Sequence, residues 1–216
     1  MRKYDTIIWD MDGTLLDTLD DLADSVNEAL TEFRLPVRTR DEIRSFIGNG
    51  VNRLLELSIP GGKQHPQFEE ILAFFKSCYG KNSSNKTMPY QGLDKVLPEL
   101  KSRGYRMAIV SNKIDSAVKV LSERFFDGMM DAAIGNSEGL RRKPDPDEVL
   151  EALRILGAEK DSAVYIGDTE VDIATAKNTG IDFICVSWGY RERQELQSHG
   201  AGEIVDTPEE LLALLG

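Results

Sequence analysis

The hydrophobic pattern opens with a short run, Ile7-Ile8-Trp9, that stops abruptly at Asp10. A run this short, bulky and β-branched predicts a strand buried in an α/β sheet. The period then changes. Leu22, Val26, Ala29, Leu30 and Phe33 recur at helical spacing, and Leu35-Pro36 ends that helix. Further helices are predicted over Thr39 to Phe46 and Val51 to Leu57, with Gly48-Asn49-Gly50 between them. After the breaker cluster Pro60-Gly61-Gly62, the residues Phe68, Ile71, Leu72, Phe75 and Tyr79 mark another apolar helical face. The polar stretch Asn82 to Thr87 reads as a linker.

From Tyr90 onward helix and strand alternate. Helices are predicted over Leu93 to Leu100, Asp115 to Phe125, Pro146 to Leu156 and Asp172 to Lys177, the last capped by Gly180. Strands are predicted over Tyr105 to Val110 ending at Ser111, Asp131 to Ile134, Ala163 to Ile166 and Asp182 to Trp188. A short edge strand, Glu203 to Val205, precedes a final helix opened by Thr207-Pro208. This alternation predicts the α/β class, a doubly wound parallel sheet with right-handed crossovers. The expected domains are an α/β core of residues 1–17 and 87–216 and a small all-helical domain of residues 18–86 inserted after the first strand.

At 216 residues and 41% hydrophobic, the chain is long enough for such a core with one insertion. Its net charge of −11 argues against nucleic acid and against an anionic membrane surface as partners. An anionic substrate would need local cations to offset this field. Cys78 and Cys185 are far apart, and Cys185 lies in an apolar run, which suits a reducing compartment. With Met1-Arg2-Lys3 running straight into the first strand, no leader is expected, and no apolar stretch could span a bilayer. The expected location is the cytoplasm, with a monomer as the default and a dimer as the alternative.

Four strand ends carry polar groups. Asp10 and Asp12 sit one residue apart before Gly13, and like charges about 4 Å apart cost about 4 kcal/mol at an effective dielectric of 20. A cation must neutralise them, or one must hold a proton. Taken alone, the pair is more simply an Asx turn. Ser111 and Asn112 end the second long strand, where a hydroxyl and the amides of a following helix could hold a phosphate oxygen; taken alone, Ser111 is a helix cap. Arg141-Arg142-Lys143, stiffened by Pro144 and Pro146, looks like an anion anchor in so acidic a chain. Asp168, with Asp172 about one helical turn on, offers oxygen ligands of the kind Mg²⁺ prefers, or a helix-start pair of acids. His65 and His199 are isolated, which argues against a His-based zinc site or triad.

Order, spacing and strand-end placement of Asp10-Met11-Asp12-Gly13-Thr14, Ser111, Lys143 in Lys-Pro-Asp-Pro, and Gly167-Asp168-Thr169-Glu170-Val171-Asp172 resemble the haloacid dehalogenase-like hydrolase superfamily over essentially the whole chain. The helical insertion resembles the cap domain of one subclass, and Ile47-Gly48-Asn49-Gly50 and Trp188-Gly189-Tyr190 are similar to stretches of its phosphoglycolate phosphatases. The resemblance implies a Mg²⁺-dependent phosphatase acting on a small phosphorylated metabolite. Asp10 would attack the phosphoryl group to form an aspartyl-phosphate. Asp12, protonated at first by virtue of a raised pKa, would serve as acid and then base. Asp10, the backbone carbonyl of Asp12 and Asp168 would hold the metal, with Asp172 supporting them. Ser111 and Lys143 would stabilise the phosphoryl oxygens, with Asn112 beside them. From the helical insertion Gly48, Asn49 and Arg53 would meet the substrate, with Arg44 and Lys63 as further polar choices. Such a cap would open and close about hinges near Asp17-Thr18 and Lys86-Thr87. Alternatives on the same motifs are a broad sugar-phosphate phosphatase, a pyrophosphatase, a β-phosphoglucomutase-like mutase or a non-catalytic phosphate sensor.

Overall fold

The computed structural model describes residues 3–216, so Met1 and Arg2 of the expected core lie outside it. Its main sheet is built from β1 (Thr6–Trp9), β4 (Arg106–Ile114), β5 (Ala132–Asn136), β6 (Ala163–Gly167), β7 (Asp182–Val186) and β8 (Glu203–Val205). The order is β5-β4-β1-β6-β7-β8, and all five neighbouring pairs are parallel. This is the doubly wound α/β architecture that the alternation predicts.

The period of two along each strand decides which layer a side chain joins. Ile7, Trp9, Met107, Ile109, Val164 and Ile166 face one way, against α5 (Leu93–Ser102), α6 (Asp115–Phe126) and α10 (Pro208–Leu215). Ile8, Ala108, Val110 and Tyr165 face the other, against α7 (Asp147–Leu156) and α8 (Glu170–Thr179). Burial on both faces explains why β1 reads as a continuous apolar run rather than an alternating one. Cys185, further along the sheet, is buried with Leu196 of α9 (Arg193–Ser198), a short helix the hydrophobic pattern does not announce.

By internal contacts, the segment up to Leu16 together with Pro89–Gly216 forms one compact unit, and Asp17–Met88 forms another. The second unit is helical: α1 (Leu19–Glu32), α2 (Arg40–Phe46), α3 (Gly50–Ser58) and α4 (Phe68–Asn82). Leu22, Val26 and Leu30 of α1 and Ile71 and Phe75 of α4 supply its buried apolar stripes. Thr39 caps α2 in a capping box with Glu42. The chain leaves and re-enters the sheet unit through two short strands, β2 (Leu16–Asp17) and β3 (Met88–Pro89), which pair with each other. Inside the helical unit, buried Asp21 accepts from Lys86 N at 3.0 Å, Thr87 N at 2.9 Å and Thr87 Oγ1 at 2.7 Å. The stretch that reads as a loose linker is therefore pinned at its end.

Candidate active site

Asp10 stands one residue beyond β1, where its N–H donates to Ile166 O at 2.8 Å and extends the ladder with β6. The chain then turns tightly, with Leu15 N and Leu16 N both donating to Met11 O. Gly13 makes the turn possible: its φ is +91°, and a Cβ there would strike the Asp168 carboxylate. Gly189 closes the other side of the same carboxylate, where a Cβ would overlap both Asp168 and the Gly13 carbonyl. Asp168, fully buried at the end of β6, accepts from Thr14 Oγ1 at 3.1 Å and from Tyr190 N at 2.6 Å. Trp188 Nε1 donates to Thr14 O at 3.0 Å and ties this loop to the first turn.

Lys143 reaches in from the loop before α7 and is buried. Its ammonium donates to Asp10 Oδ1 at 2.7 Å, Asp172 Oδ1 at 2.8 Å and Tyr165 OH at 2.9 Å. Burial alone would lower the Lys143 pKa, but the charges of Asp10 and Asp172 outweigh it and hold the group well above its ordinary value. The Asp172 carboxylate is already used on both oxygens. Oδ1 takes Lys143 and Tyr165, and Oδ2 takes Thr169 N at 3.0 Å and Thr169 Oγ1 at 2.7 Å. Thr169, rather than Asp168, caps α8, with Asp172 as its capping-box partner. Asp172 thus holds Lys143 in place.

Carboxylate oxygens of Asp10, Asp168 and Asp172 all lie within 4.8 Å of one another, and all three residues are buried. Three carboxylates against one ammonium leave two uncompensated negative charges out of water. Burial, then the charge of Asp172, pushes Asp168 up to about 7, against the pull of Tyr190 N–H and Thr14. The same two causes raise Asp10 well above the carboxylate range, opposed by Lys143. A hard divalent cation with oxygen ligands fits this donor set and this charge.

The other expected residues divide. Ser111 and Asn112 are buried, and Asn112 Nδ2 donates to the Lys143 carbonyl at 3.2 Å, so these groups do meet. However, β4 does not end at Ser111. It runs on through Ile114, with a slip in its register against β5 between Ser111 and Ile114, and α6 starts only at Asp115. Ser111 is therefore not a helix cap, and the amides of the next helix do not directly follow it. The basic loop also differs from expectation. Arg141 is exposed and engaged by Asp145 at 2.9 Å and Asp147 at 2.8 Å, Arg142 is exposed, and only Lys143 turns inward. The Asp12 side chain stands outside the carboxylate cluster, with Lys113 Nζ on its Oδ1 at 2.8 Å. The sequence does not announce this ion pair. In the helical unit, Gly48 and Asn49 lie between α2 and α3, while Arg53 on α3 pairs with Glu56 at 3.0 Å and Lys63 lies 3.6 Å from the same carboxylate.

Sequence reasoning did not single out Lys113, Tyr165, Glu148 or Arg191. Arg191, nearly buried, forms a two-point pair with Glu170 at 2.9 and 3.1 Å beside the Asp168 loop. Glu148, in the first turn of α7, is fully buried, and neither carboxylate oxygen finds a hydrogen-bond partner. Loss of water pushes its pKa up to about 7, with the charge and backbone of Lys143 opposing only in part.

Residues 7–186 match the family model described as haloacid dehalogenase-like hydrolase. The chain belongs to this family. The phosphoglycolate phosphatase of Aquifex aeolicus (strain VF5) is 35% identical to this hydrolase over 185 residues, covering 85% of each chain. That of Psychrobacter arcticus is 31% identical over 208 residues, covering 93% of this chain and 90% of its own. A crystal structure from Lactobacillus delbrueckii subsp. bulgaricus, described as a candidate phosphoglycolate phosphatase, superposes with a TM-score of 0.95 at 38% identity over 100% of both chains. This hydrolase is thus an enzyme of the phosphatase kind. Among its described residues, no helix is long and apolar enough to cross a membrane.

Proposed function

We propose that this enzyme is a Mg²⁺-dependent phosphatase that hydrolyses a small phosphate monoester through an aspartyl-phosphate on Asp10, with 2-phosphoglycolate as its substrate. The observation that carries the reading is the buried cluster of Asp10, Asp168 and Asp172 around one ammonium, Lys143, at the carboxyl ends of β1 and β6. Ligands in open α/β sheets bind at this end. The relatives' substrate supports the choice of ester.

Asp10 Oδ attacks phosphorus as the ester P–O bond breaks, and the leaving oxygen takes a proton from Asp12. Water then attacks the acyl phosphate, Asp12 takes its proton, the bond from phosphorus to Asp10 breaks, and phosphate leaves. Lys143 offsets charge on the phosphoryl oxygens, and Ser111 and Asn112 orient them. Asp10, Asp168 and the Asp12 carbonyl would hold the Mg²⁺, whose chemistry is to neutralise phosphoryl charge and align the ester. Asp172 keeps Lys143 turned towards Asp10. Gly48, Asn49 and Arg53 of the helical unit contribute contacts to the rest of the substrate. The enzyme works in the cytoplasm, in keeping with the two free cysteines, Cys78 and Cys185.

The test is phosphate release from 2-phosphoglycolate, pyrophosphate and several hexose and pentose phosphates, with Mg²⁺ and with chelator. A preference for phosphoglycolate that disappears with chelator supports the reading. Flat turnover across the panel rejects the substrate, and no Mg²⁺-dependent release from any compound rejects the chemistry.

A further inference from the structure

The ion pair between Asp12 and Lys113 has no part in that scheme, yet it engages the carboxyl that would serve the leaving oxygen. Lys113, the penultimate residue of β4, is buried to 6% exposure, and its ammonium lies 2.8 Å from Asp12 Oδ1. Burying such a pair costs desolvation on both sides, so its presence at a reacting carboxyl calls for a reason. The register slip between Ser111 and Ile114 carries the strand past its pairing with β5, and Lys113 N donates to Ser111 Oγ at 3.3 Å. This hydrogen bond sets the Ser111 hydroxyl directly against the Lys113 backbone. The phosphoryl-binding hydroxyl and Lys113 therefore belong to one wall of the site.

We propose that Lys113 is the specificity-determining residue of the active site: it is the receptor for a carboxylate carried on the carbon next to the ester oxygen, and Asp12 is its stand-in partner while the site is empty. The inference rests on the phosphatase reading above, in which Asp12 touches the leaving oxygen. An acid that donates there comes within about 3 Å of it, so an ammonium 2.8 Å from Asp12 Oδ1 lies within about 6 Å of that oxygen when Oδ1 is the donor and about 8 Å when Oδ2 is. In a phosphoglycolate-like ester the carboxylate oxygens are about 3–3.5 Å from the ester oxygen, three bonds and a torsion away. With Oδ1 as the donor, the two distances bring ammonium and carboxylate into contact. When the substrate's carboxylate takes Lys113, the Asp12 carboxyl is released towards the ester oxygen. An ester with an uncharged alcohol gives Lys113 nothing to exchange, and Asp12 stays engaged. Of the cations described around the site, Lys143 is committed to Asp10 and Asp172, and Arg191 to Glu170 and Glu195. Lys113 is bound to the one carboxylate that the reaction itself requires to move.

The experiment compares kcat/KM for 2-phosphoglycolate with that for ethyl phosphate, which keeps the ester carbon and lacks the carboxylate, in the wild type, Lys113→Met and Lys113→Arg. The wild type should favour 2-phosphoglycolate. In Lys113→Met the ratio should fall about 30-fold, equivalent to about 2 kcal/mol, with most of the loss on 2-phosphoglycolate, and Lys113→Arg should restore part of it. Circular dichroism and thermal unfolding of each variant show that it is folded. If Lys113→Met does not fold, Lys113→Gln, which keeps most of the stem, carries the same comparison. Equal losses on both esters, or an unchanged ratio, would overturn the inference and leave the phosphoglycolate reading standing. A wild type with no preference between the two esters would overturn both.

Discussion

Glu148→Gln removes a charge that burial disfavours and that Lys143 offsets only in part. Glu148 is fully buried, neither of its oxygens is hydrogen-bonded among the described residues, and its pKa is raised from an ordinary 4.5 to about 7. A carboxyl that titrates higher when folded binds its proton more tightly in the native state. Its contribution is therefore favourable at low pH and is lost as pH rises through about 7. The 2.5-unit difference between those values corresponds to about 3.4 kcal/mol once both states are ionised. About 0.8 kcal/mol of that is already lost near pH 5, leaving about 2.5 kcal/mol to appear between roughly pH 5 and roughly pH 8.5. Glutamine, nearly the same shape, cannot ionise. Urea unfolding of both proteins at the two pH values isolates the effect, because Asp10, Asp168 and the other titrating groups are common to both. Relative to wild type, Glu148→Gln should gain about 2.5 kcal/mol on going from the lower pH to the higher. A stability difference that does not change with pH would refute the reasoning, and one that grows in the opposite sense would show that Lys143 keeps Glu148 ionised.

Lys143→Met leaves Asp10 and Asp172 without their shared cation; activity should fall about 10²–10³-fold and stability by about 3 kcal/mol or more, read by steady-state kinetics and thermal unfolding. Gly189→Ala drives a methyl group into Asp168 and the Gly13 carbonyl, so the loop must move; Mg²⁺ titrations of activity should show weakened activation with little change in the helical content seen by circular dichroism. Asp21→Ala strands the Lys86 and Thr87 donors, two of them on a buried residue, and should cost about 2–4 kcal/mol, measured by chemical denaturation.

The two strand-end aspartates of the candidate site are legible in the sequence because each follows a short apolar run. Asp10 after Ile7-Ile8-Trp9 and Asp168 after Val164-Tyr165-Ile166 are marked by where hydrophobicity stops. Lys143 is marked by the two prolines that follow it, Pro144 and Pro146. What escapes is pairing at a distance. Asp12 and Lys113 are 101 residues apart, and Lys113 sits in Ser111-Asn112-Lys113, a polar stretch that reads as a loop although it continues β4. Arg141 looks like a third anchoring cation, yet Asp145 and Asp147, close by in the same segment, claim it. Glu148 reads as an ordinary acid at a helix start, where the dipole favours it, because nothing local reveals that α7 turns that position inward. Strands of two residues, such as β2 and β3, are too short for any period to register.

The most direct measurement is a single-turnover reaction with 2-phosphoglycolate labelled in its phosphoryl group, quenched in acid during turnover and followed by peptide mapping. The account predicts transient label on the peptide carrying Asp10, dependent on Mg²⁺ and absent from Asp10→Asn, which should also release no phosphate. Full turnover with no label on the protein, or phosphate release by Asp10→Asn at the wild-type rate, would contradict it.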